Sequence, residues 1–308
     1  MGTPIQIRMG GYGPPSTGFS KSLKLIGDKL EAQFGKDVAV EYVFNIMDHG
    51  HKAEDILTLV ENGEITLGYQ SSSYLTDRVP ELGFVDLPFL FSSNTQARAA
   101  MDGALGDFLA RKTEERINYR ILGWFENGFR HISNRLRSIH LPVDMKGMKI
   151  RVLPSEIHRR TFDLLGAVAM RMDLTEAIAM IKARTLDAQE NPLANTVTYG
   201  VHKFHKFHTL SYHFYISRPI FLHRPSFESW PESLRSAMQM AVNEAVAFQR
   251  KLAVEEHDES YKAIEAEGCE INALTAKEHE AFVAAVQPLL ADARKTYGDV
   301  IFKMVPKA

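Results

Sequence analysis

The stretch from Pro231 to Gly268 has no helix-breaking residue in its interior and one at each end. A proline suits the first turn of a helix and a glycine suits its end, so the whole stretch is predicted to be one helix. At 1.5 Å per residue it would be roughly 55 Å long, which exceeds one small domain. Its apolar positions hold a heptad for only a few turns, which disfavours a coiled coil. We therefore predict a strut that crosses two lobes.

The N-terminal third alternates short apolar strands with amphipathic helices. This order predicts an α/β fold with a parallel sheet covered by helices, and the loops at the carboxyl ends of the strands are the expected ligand site. Tyr12, Gln70 and Ser71 lie on these loops. The predicted strands are 4–9, 38–45 and 64–70, and the predicted helices are one capped by Ser16 or Thr17 and one at 51–61.

The rest of the chain has a second set of strands and helices. The predicted elements are a buried apolar run at 84–91, a helix at 94–115, a strand at 119–125, a strand that contains Arg151, a helix capped near Ser155, a helix that opens at Asp173 with capping-box spacing, an extended segment at 210–222, and a helix at 276–297 kinked at Pro288.

The composition is that of an ordinary globular protein. The 308 residues are 45% hydrophobic and 24% charged. The net charge of −2 shows no general excess of positive charge of the kind that nucleic-acid-binding proteins have. No stretch approaches the roughly 18 apolar residues of a membrane span. The N-terminus lacks the basic and apolar regions of a signal peptide. A single cysteine, Cys269, excludes an internal disulfide.

Arg151 lies in a predicted strand between apolar residues. A guanidinium is costly to bury without an anionic partner, and its planar fork suits a carboxylate. Two explanations follow from the residues. Either a ligand supplies the carboxylate, or the chain does, for instance through Asp144 or Asp187. Composition alone favours the internal pair.

Other chemistry receives little support from the sequence. Residues 10–13 are glycine-rich after a strand, but they lack the spacing of a dinucleotide loop. Cys269 has no local partner, and no metal, cofactor or catalytic residue is predicted. Trp124 is assigned to the core, with a pocket-wall role left open. His202, His205 and His208 are interpreted as a partly exposed basic helix end, and Glu126, Glu190 and Asp187 as acid–base candidates or partners of arginines.

An ordered set of motifs resembles the solute-binding proteins of tripartite ATP-independent periplasmic (TRAP) transporters, DctP branch. The resemblance covers nearly the whole chain. Its motifs are Gly63-Glu-Ile-Thr-Leu-Gly68, Asp86-Leu-Pro-Phe-Leu-Phe91, Gly128-Phe-Arg130 with Ser133-Asn134, Pro142-x-Asp144-Met-Lys-Gly147-Met-Lys-Ile-Arg151-Val152, Leu165-Gly-Ala167, Glu176, Asp187-Ala-Gln-Glu-Asn-Pro-Leu193 and the long helix from Pro231.

The resemblance implies a two-lobe periplasmic-binding-protein-like fold, with crossing hinge strands and a long helix that spans both lobes. Lobe 1 would comprise 1–125 and 210–250, lobe 2 would comprise 126–209 and 251–308, and the ligand would lie in the cleft between them. Arg151 matches the arginine that grips the ligand carboxylate with two bonds, Arg130 matches an assisting arginine, and Asn191 matches the pocket asparagine. Leu174 takes a position often held by an aromatic cover, and Tyr12, Gln70 and Ser71 would shape the far end of the pocket.

The chain departs from the family pattern at several positions. The residue at the aromatic cover position, Leu174, is aliphatic, and Ala188 replaces the usual glycine. The polar groups that recognise sialic acid in one subgroup of the family are not matched at Tyr12, Gln70 and Ser71. The carboxylate grip is therefore better supported than the identity of the ligand. His213, Arg171 and Arg218 are possible contacts for a second acidic group, which would suit a dicarboxylate, although surface salt bridges explain the two arginines equally well.

The expected function is a periplasmic receptor for a small organic acid that closes by hinge motion and delivers its ligand to TRAP membrane subunits. Because members of the family are exported, we interpret the missing signal peptide as one that has been removed. One rival is an enzyme that acts on a small carboxylic acid with Glu190 or Glu126 as acid or base. A second rival is a ligand-sensing protein that uses the same fold.

Overall fold

The computed structural model describes residues 3–307. The strands, in chain order, are β1 (Ile5–Gly10), β2 (Val38–Val43), β3 (Leu67–Tyr69), β4 (Tyr119–Phe129), β5 (His131–Asn134), β6 (Lys149–Val152), β7 (Val168–Arg171), β8 (Ala188–Asn191), β9 (Phe207–Leu210), β10 (Tyr215–His223) and β11 (Glu270–Ala273). The α-helices are α1 (Gly18–Phe34), α2 (Asp55–Glu61), α3 (Asn94–Met101), α4 (Ala104–Arg116), α5 (Glu156–Leu164), α6 (Leu174–Lys182), α7 (Leu193–Thr198), α8 (Arg224–Ser229), α9 (Glu232–Ala266), α10 (Ala276–Ala285) and α11 (Gln287–Phe302).

The chain divides into two compact units, and β4, β10 and α9 each contain residues of both. The segment 72–105, which is predicted to be part of lobe 1, belongs to unit 2. Side chains of this segment such as Tyr74 and Asp86 contact unit 2 residues, which explains the difference. The predicted ligand cleft stays a prediction. Unit 1 comprises Met1–Ser71, Gly106–Glu126 and Ser217–Val254, and unit 2 comprises Ser72–Leu105, Asn127–Ile216 and Glu255–Ala308.

Unit 1 is built on a sheet with the strand order β2-β1-β3-β10-β4. β1 pairs in parallel with β2 and β3, and β10 pairs with β3 in the antiparallel direction. The parallel arrangement of the first three strands was predicted from their alternation with helices. Thr17 caps α1 by accepting a hydrogen bond from the Ser20 backbone N–H. Leu23, Ile26 and Leu30 of α1 are buried at helical spacing.

Unit 2 is built on a sheet with the order β11-β9-β5-β8-β6-β7. β6 runs parallel to its neighbours β7 and β8, whereas β5 is antiparallel to β8 and β9. Ile150 and Val152 of β6 face a core that also contains Phe162 and Phe214. The alternating residue, Arg151, therefore points to the opposite face of the sheet.

The long helix α9 has 35 residues, and Gly268 follows it with a positive φ of 76°. A glycine adopts this left-handed conformation without the strain that a side chain would cause. The predicted helix and its end are confirmed.

Two predicted helices are broken. Residues 94–115 were predicted to be one helix, but α3 is capped at Asp102 and α4 begins after Gly103. The helix predicted at 276–297 with a kink is two helices, α10 and α11. Pro288 lies in the first turn of α11, where its missing N–H has no cost. It starts a helix instead of bending one.

Two other predicted bounds differ from the structure. The helix predicted from residue 51 begins at Asp55, after a short 3-10 helix at Ile46–His49. The extended segment predicted at 210–222 is interrupted between β9 and β10, where Tyr212 has a positive φ of 48°. A turn at this point lets the chain leave one sheet and enter the other.

Candidate ligand-binding site

Arg151 lies in β6 and is only 1% exposed. Its Nε donates a hydrogen bond to the Met172 carbonyl oxygen at 3.1 Å, and its Nη2 donates to the Tyr74 hydroxyl at 3.0 Å. Both acceptors are neutral. The guanidinium is therefore oriented by the protein but not neutralised by these two contacts.

No carboxylate of residues 3–307 forms an ion pair with Arg151, and the two internal partners considered from the sequence have other roles. Asp187 pairs with Arg135 at 2.6 Å. Asp144 accepts hydrogen bonds from the backbone N–H groups of His140 and Leu141. The internal ion pair, which composition favoured, is wrong for Arg151.

Tyr74 was not predicted as a site residue, although it follows the loop of Gln70 and Ser71. Its hydroxyl accepts hydrogen bonds from Arg151 and from the Leu174 backbone N–H at 3.1 Å, and it donates to Asp173 Oδ2 at 3.4 Å. Asp173 also caps α6 by accepting from the Thr175 N–H. The Tyr74 hydroxyl thereby connects the first turn of α6, which includes buried Leu174, to the Arg151 guanidinium.

Arg130 precedes β5 and is also buried, but it has an internal carboxylate. Its Nε and Nη2 form a two-bond pair with the Glu190 carboxylate, and Nη2 also donates to the Glu190 carbonyl oxygen at 2.7 Å. For this arginine the internal-pair explanation is correct. Only Nη1 takes no part in the interaction with Glu190.

Glu190 is fully buried and remains ionised. Burial alone would raise its pKa, but the charge of Arg130 and hydrogen bonds from His213 and Arg130 outweigh that effect and hold the pKa well below its usual range. A carboxylate this acidic and this well paired is a poor general base. The geometry therefore disfavours Glu190 as a catalytic group.

His213 is held by protein partners. Its Nε2 is 3.4 Å from Glu190 Oε2 and its Nδ1 is 2.7 Å from Ser211 Oγ. Burial lowers the pKa of His213, although Glu190 opposes this. His158 lies beside the same carboxylate, with Nδ1 4.0 Å from Glu190 Oε1, and also beside Asp86. His213 is thus a neutral neighbour of the Arg130–Glu190 pair.

Asn191 ends β8 and is 3% exposed. Its Nδ2 donates to Gln189 Oε1 at 3.3 Å, and Gln189 in turn donates to Thr196 Oγ1 at 3.2 Å. β8 lies between β5 and β6 in the sheet. The sheet order therefore places Asn191 and Arg151 on neighbouring strands, and Arg130 immediately precedes β5 on the other side of β8.

The remaining predicted residues lie in unit 1 and are all buried. Gln70 donates to the Ala53 carbonyl oxygen and accepts from the Ser71 N–H, each at 2.8 Å, so its amide holds the loop after β3. Tyr12 packs on Tyr69 with ring centroids 5.4 Å apart. Trp124, at 5% exposure in β4, is a core residue of unit 1.

Glu126, the other acid–base candidate, is buried in unit 1. Its backbone N–H and carbonyl are both bound by the Gln249 side chain, at 2.9 and 2.8 Å. Arg171 forms a partly exposed pair with Asp77 at 2.7 Å, so the surface salt bridge explains it.

The prediction that histidines 202, 205 and 208 form a partly exposed basic helix end is wrong. All are buried, and His208 lies in β9. Burial lowers the pKa of His205 to about 3 and that of His208 to about 4, so both are neutral near pH 7. His205 Nδ1 is 2.9 Å from Ser133 Oγ. Within residues 3–307 no cluster of His, Cys, Asp or Glu is arranged to hold a metal ion.

The model of bacterial extracellular solute-binding protein family 7, DctP, matches residues 13–296. The chain belongs to this family. The resemblance to TRAP solute-binding proteins is thus confirmed, and the family 7 assignment makes this chain a binding protein and not an enzyme. No helix of the described part of this family 7 protein is long and apolar enough to cross a membrane.

Curated relatives of this family 7 protein are similar over most of their length. A solute-binding protein of Verminephrobacter eiseniae is 28% identical over 81% of this chain and 73% of its own. The 2,3-diketo-L-gulonate-binding periplasmic protein YiaO of Escherichia coli is 27% identical over 76% of this chain and 70% of its own.

A solved structure confirms the fold. The sugar acid binding protein DctPAm of Advenella mimigardefordensis, in complex with galactonate, superposes with a TM-score of 0.92 at 24% identity and covers 98% of this chain and 97% of its own. The two-lobe architecture predicted from the sequence is therefore confirmed at the level of the fold.

Proposed function

We propose that this protein is a periplasmic receptor that binds a small organic acid through Arg151 and delivers it to the membrane subunits of a TRAP transporter. The observation that carries the proposal is the state of Arg151, a buried guanidinium with neutral protein acceptors only. A carboxylate ligand would supply the missing negative charge.

The geometry of Arg151 favours a carboxylate over other ligand groups. Arginine has five N–H donors, and two of those of Arg151 are used by Met172 and Tyr74, which leaves three. A carboxylate accepts two parallel N–H bonds from a planar fork, whereas a hydroxyl or an amide cannot do this and also neutralise the charge. Because the fork is already held, little side-chain freedom is lost on binding.

The other positions that the resemblance assigns to the ligand keep supporting roles in this proposal. Arg130 offers Nη1 only, since its Nε and Nη2 bind Glu190, and that carboxylate already compensates its charge. Asn191 provides an amide, Leu174 an apolar cover, and His213 holds Glu190. Tyr12, Gln70, Ser71 and Trp124, which lie in unit 1, stay predicted ligand contacts.

The ligands named for relatives support a carboxylic acid as the ligand. Galactonate is bound by the Advenella protein and 2,3-diketo-L-gulonate is named for the E. coli protein. Both are sugar acids with one carboxylate. We extend only the carboxylate to the present chain on this basis.

The proposal is tested by calorimetric titration of the purified protein with carboxylic acids and with the matching primary amides. Acids should bind and amides should not. Arg151→Met should weaken acid binding by roughly 2–5 kcal/mol, because it removes one partner of a buried charge pair. Arg159→Met is the matched control, since Arg159 is a half-exposed arginine of unit 2 that pairs only on the surface. If Arg151→Met and Arg159→Met bound the acid equally well, Arg151 would not be the ligand anchor.

A further inference from the structure

Gln189 lies on β8 in the middle of the unit 2 sheet and is only 1% exposed. Its partners in register are Arg151 on β6 and Ser133 on β5. Residues paired in this way project from the same face of a sheet, so Gln189 shares the face of Arg151. Asn191, two positions further along β8, projects from that face as well. Gln189 is therefore a buried polar residue beside two positions that the proposed function assigns to the ligand.

The Gln189 side chain connects Asn191 to helix α7. Asn191 Nδ2 donates to Gln189 Oε1 at 3.3 Å, and Gln189 Nε2 donates to Thr196 Oγ1 at 3.2 Å. Thr196 is 2% exposed, and its backbone N–H donates to the Pro192 carbonyl oxygen at 3.1 Å. The last acceptor therefore belongs to a helix that starts two residues after Asn191. We call the side chains of Asn191, Gln189 and Thr196 the amide relay.

The relay gives the Asn191 amide a defined orientation. The torsion that turns an asparagine amide plane has a broad and roughly two-fold preference, so packing alone does not decide where its oxygen and nitrogen lie. Gln189 takes one of the two N–H groups of Asn191. The contact thereby determines in which direction Asn191 presents its other N–H and its Oδ1.

Gln189 suits this role because an amide is neutral and has both an acceptor and a donor. Its oxygen accepts from Asn191 while its nitrogen donates to Thr196. A glutamate here could only accept, and it would place a negative charge beside Arg151, where it would take the place of a ligand carboxylate. A methionine would fill a similar volume but leave a buried N–H of Asn191 without this partner.

We propose that Gln189 is a positioning residue, which holds the Asn191 amide against Thr196 so that Asn191 is oriented before the ligand binds. This inference rests on the proposed function, in which Asn191 provides an amide for the acid. A side chain that is already oriented loses less conformational freedom on binding, so the relay should raise the affinity although Gln189 does not touch the ligand. All three residues of the relay lie in unit 2, as does Arg151.

The test is a double-mutant cycle on ligand binding, with galactonate as the probe. Wild type, Gln189→Met, Asn191→Ala and the double variant are each titrated calorimetrically. We expect Gln189→Met to weaken binding roughly five- to tenfold in wild type but less than about twofold in Asn191→Ala, because its effect passes through Asn191. Gln287→Met, which removes an exposed glutamine of unit 2, is the control and should bind like wild type. Equal weakening in both backgrounds would mean that Gln189 acts independently of Asn191, and the proposal would be overturned.

The orientation of Asn191 can also be measured without a ligand. Its side-chain amide gives a pair of signals in a proton–nitrogen NMR correlation spectrum, which are identified by their absence in Asn191→Ala. Both signals should shift in Gln189→Met and in Thr196→Val, which removes the hydroxyl that accepts from Gln189. Thr196→Ser keeps this hydroxyl and should restore the wild-type signals and the wild-type affinity. Unchanged Asn191 signals in Gln189→Met would overturn the proposal.

The two readouts separate this inference from the proposed function. If Arg151→Met lost the acid while Gln189→Met bound it like wild type, the positioning role would be wrong and the proposed function would hold. If no carboxylic acid bound wild type, the proposed function would fail, and the spectra of the ligand-free protein would still decide whether Gln189 holds Asn191.

Discussion

The Tyr74 hydroxyl offers a direct test of how the protein holds Arg151. Tyr74→Phe removes one oxygen and keeps the ring. The substitution removes two hydrogen bonds that the hydroxyl accepts, one from Arg151 at 3.0 Å and one from the Leu174 N–H at 3.1 Å. The hydrogen bond that it donates to Asp173 is 3.4 Å long and therefore contributes little. A bond from a charged donor contributes about 1.5–3 kcal/mol and a neutral one about 0.5–1.5 kcal/mol.

Because Tyr74 is only partly buried, water replaces some of what is lost. We expect Tyr74→Phe to lower the free energy of unfolding by about 2–3 kcal/mol in urea denaturation. Without this hydrogen bond the Arg151 side chain should also regain conformational freedom. Because it must be ordered again when the ligand binds, carboxylate binding should weaken by roughly 1 kcal/mol.

A double-mutant cycle with Arg151→Met isolates the contact. Without the guanidinium, Tyr74→Phe no longer loses the Arg151 bond, so its cost should drop by about 1–2 kcal/mol. If the two substitutions were additive within roughly 0.5 kcal/mol, the hydroxyl would not hold Arg151 and the reasoning would be refuted.

Three further perturbations have defined outcomes. Arg130→Met leaves the Glu190 carboxylate buried without its partner and should lower the free energy of unfolding by about 3–5 kcal/mol in urea denaturation. A loss smaller than that expected for a surface ion pair would contradict the assigned pairing. Thr17→Ala removes the cap of α1 and should cost about 1 kcal/mol, with Thr17→Ser as a control that keeps the hydroxyl. The pKa of His205 is about 3 in the folded protein and 6.5 for a histidine in an unfolded chain. The unfolded chain therefore binds more protons between these two values, and stability is lost as the pH falls below 6.5. His205→Asn should therefore reduce the pH slope of stability between about pH 7 and about pH 5 by up to about 1.4 kcal/mol per pH unit, and an unchanged slope would show that His205 is not responsible.

The elements predicted best are those that a local pattern determines. The parallel strands of unit 1 follow from alternation, and α9 follows from a proline and a glycine that bound an unbroken helical stretch. The division at Asp102-Gly103 was missed because one glycine is tolerated inside many helices. The boundary between unit 2 and unit 1 falls after Leu105, near the start of α4, and no local pattern reports it.

The contacts of the candidate site are set by residues far apart in the sequence. Tyr74 and Arg151 are 77 residues apart, and Arg130 and Glu190 are 60 apart. The apolar flanks of Arg151 predicted its burial, but no periodicity predicts which distant oxygen its fork will meet. The same is true of His205, whose burial depends on Ser133 and the unit 2 sheet and not on the lysines beside it.

Three buried arginines differ in whether the protein supplies an anionic partner for the guanidinium. Arg130 meets a carboxylate of its own unit, so its charge is already compensated. Arg151 meets two neutral oxygens and Arg218 meets three aromatic rings, so each keeps a charge that the described residues do not neutralise. An unpaired buried charge destabilises the folded state, and replacing it by an apolar residue stabilises the fold. Natural proteins therefore rarely retain such a charge unless it has a function. The anion that compensates Arg151 is therefore expected from outside the chain.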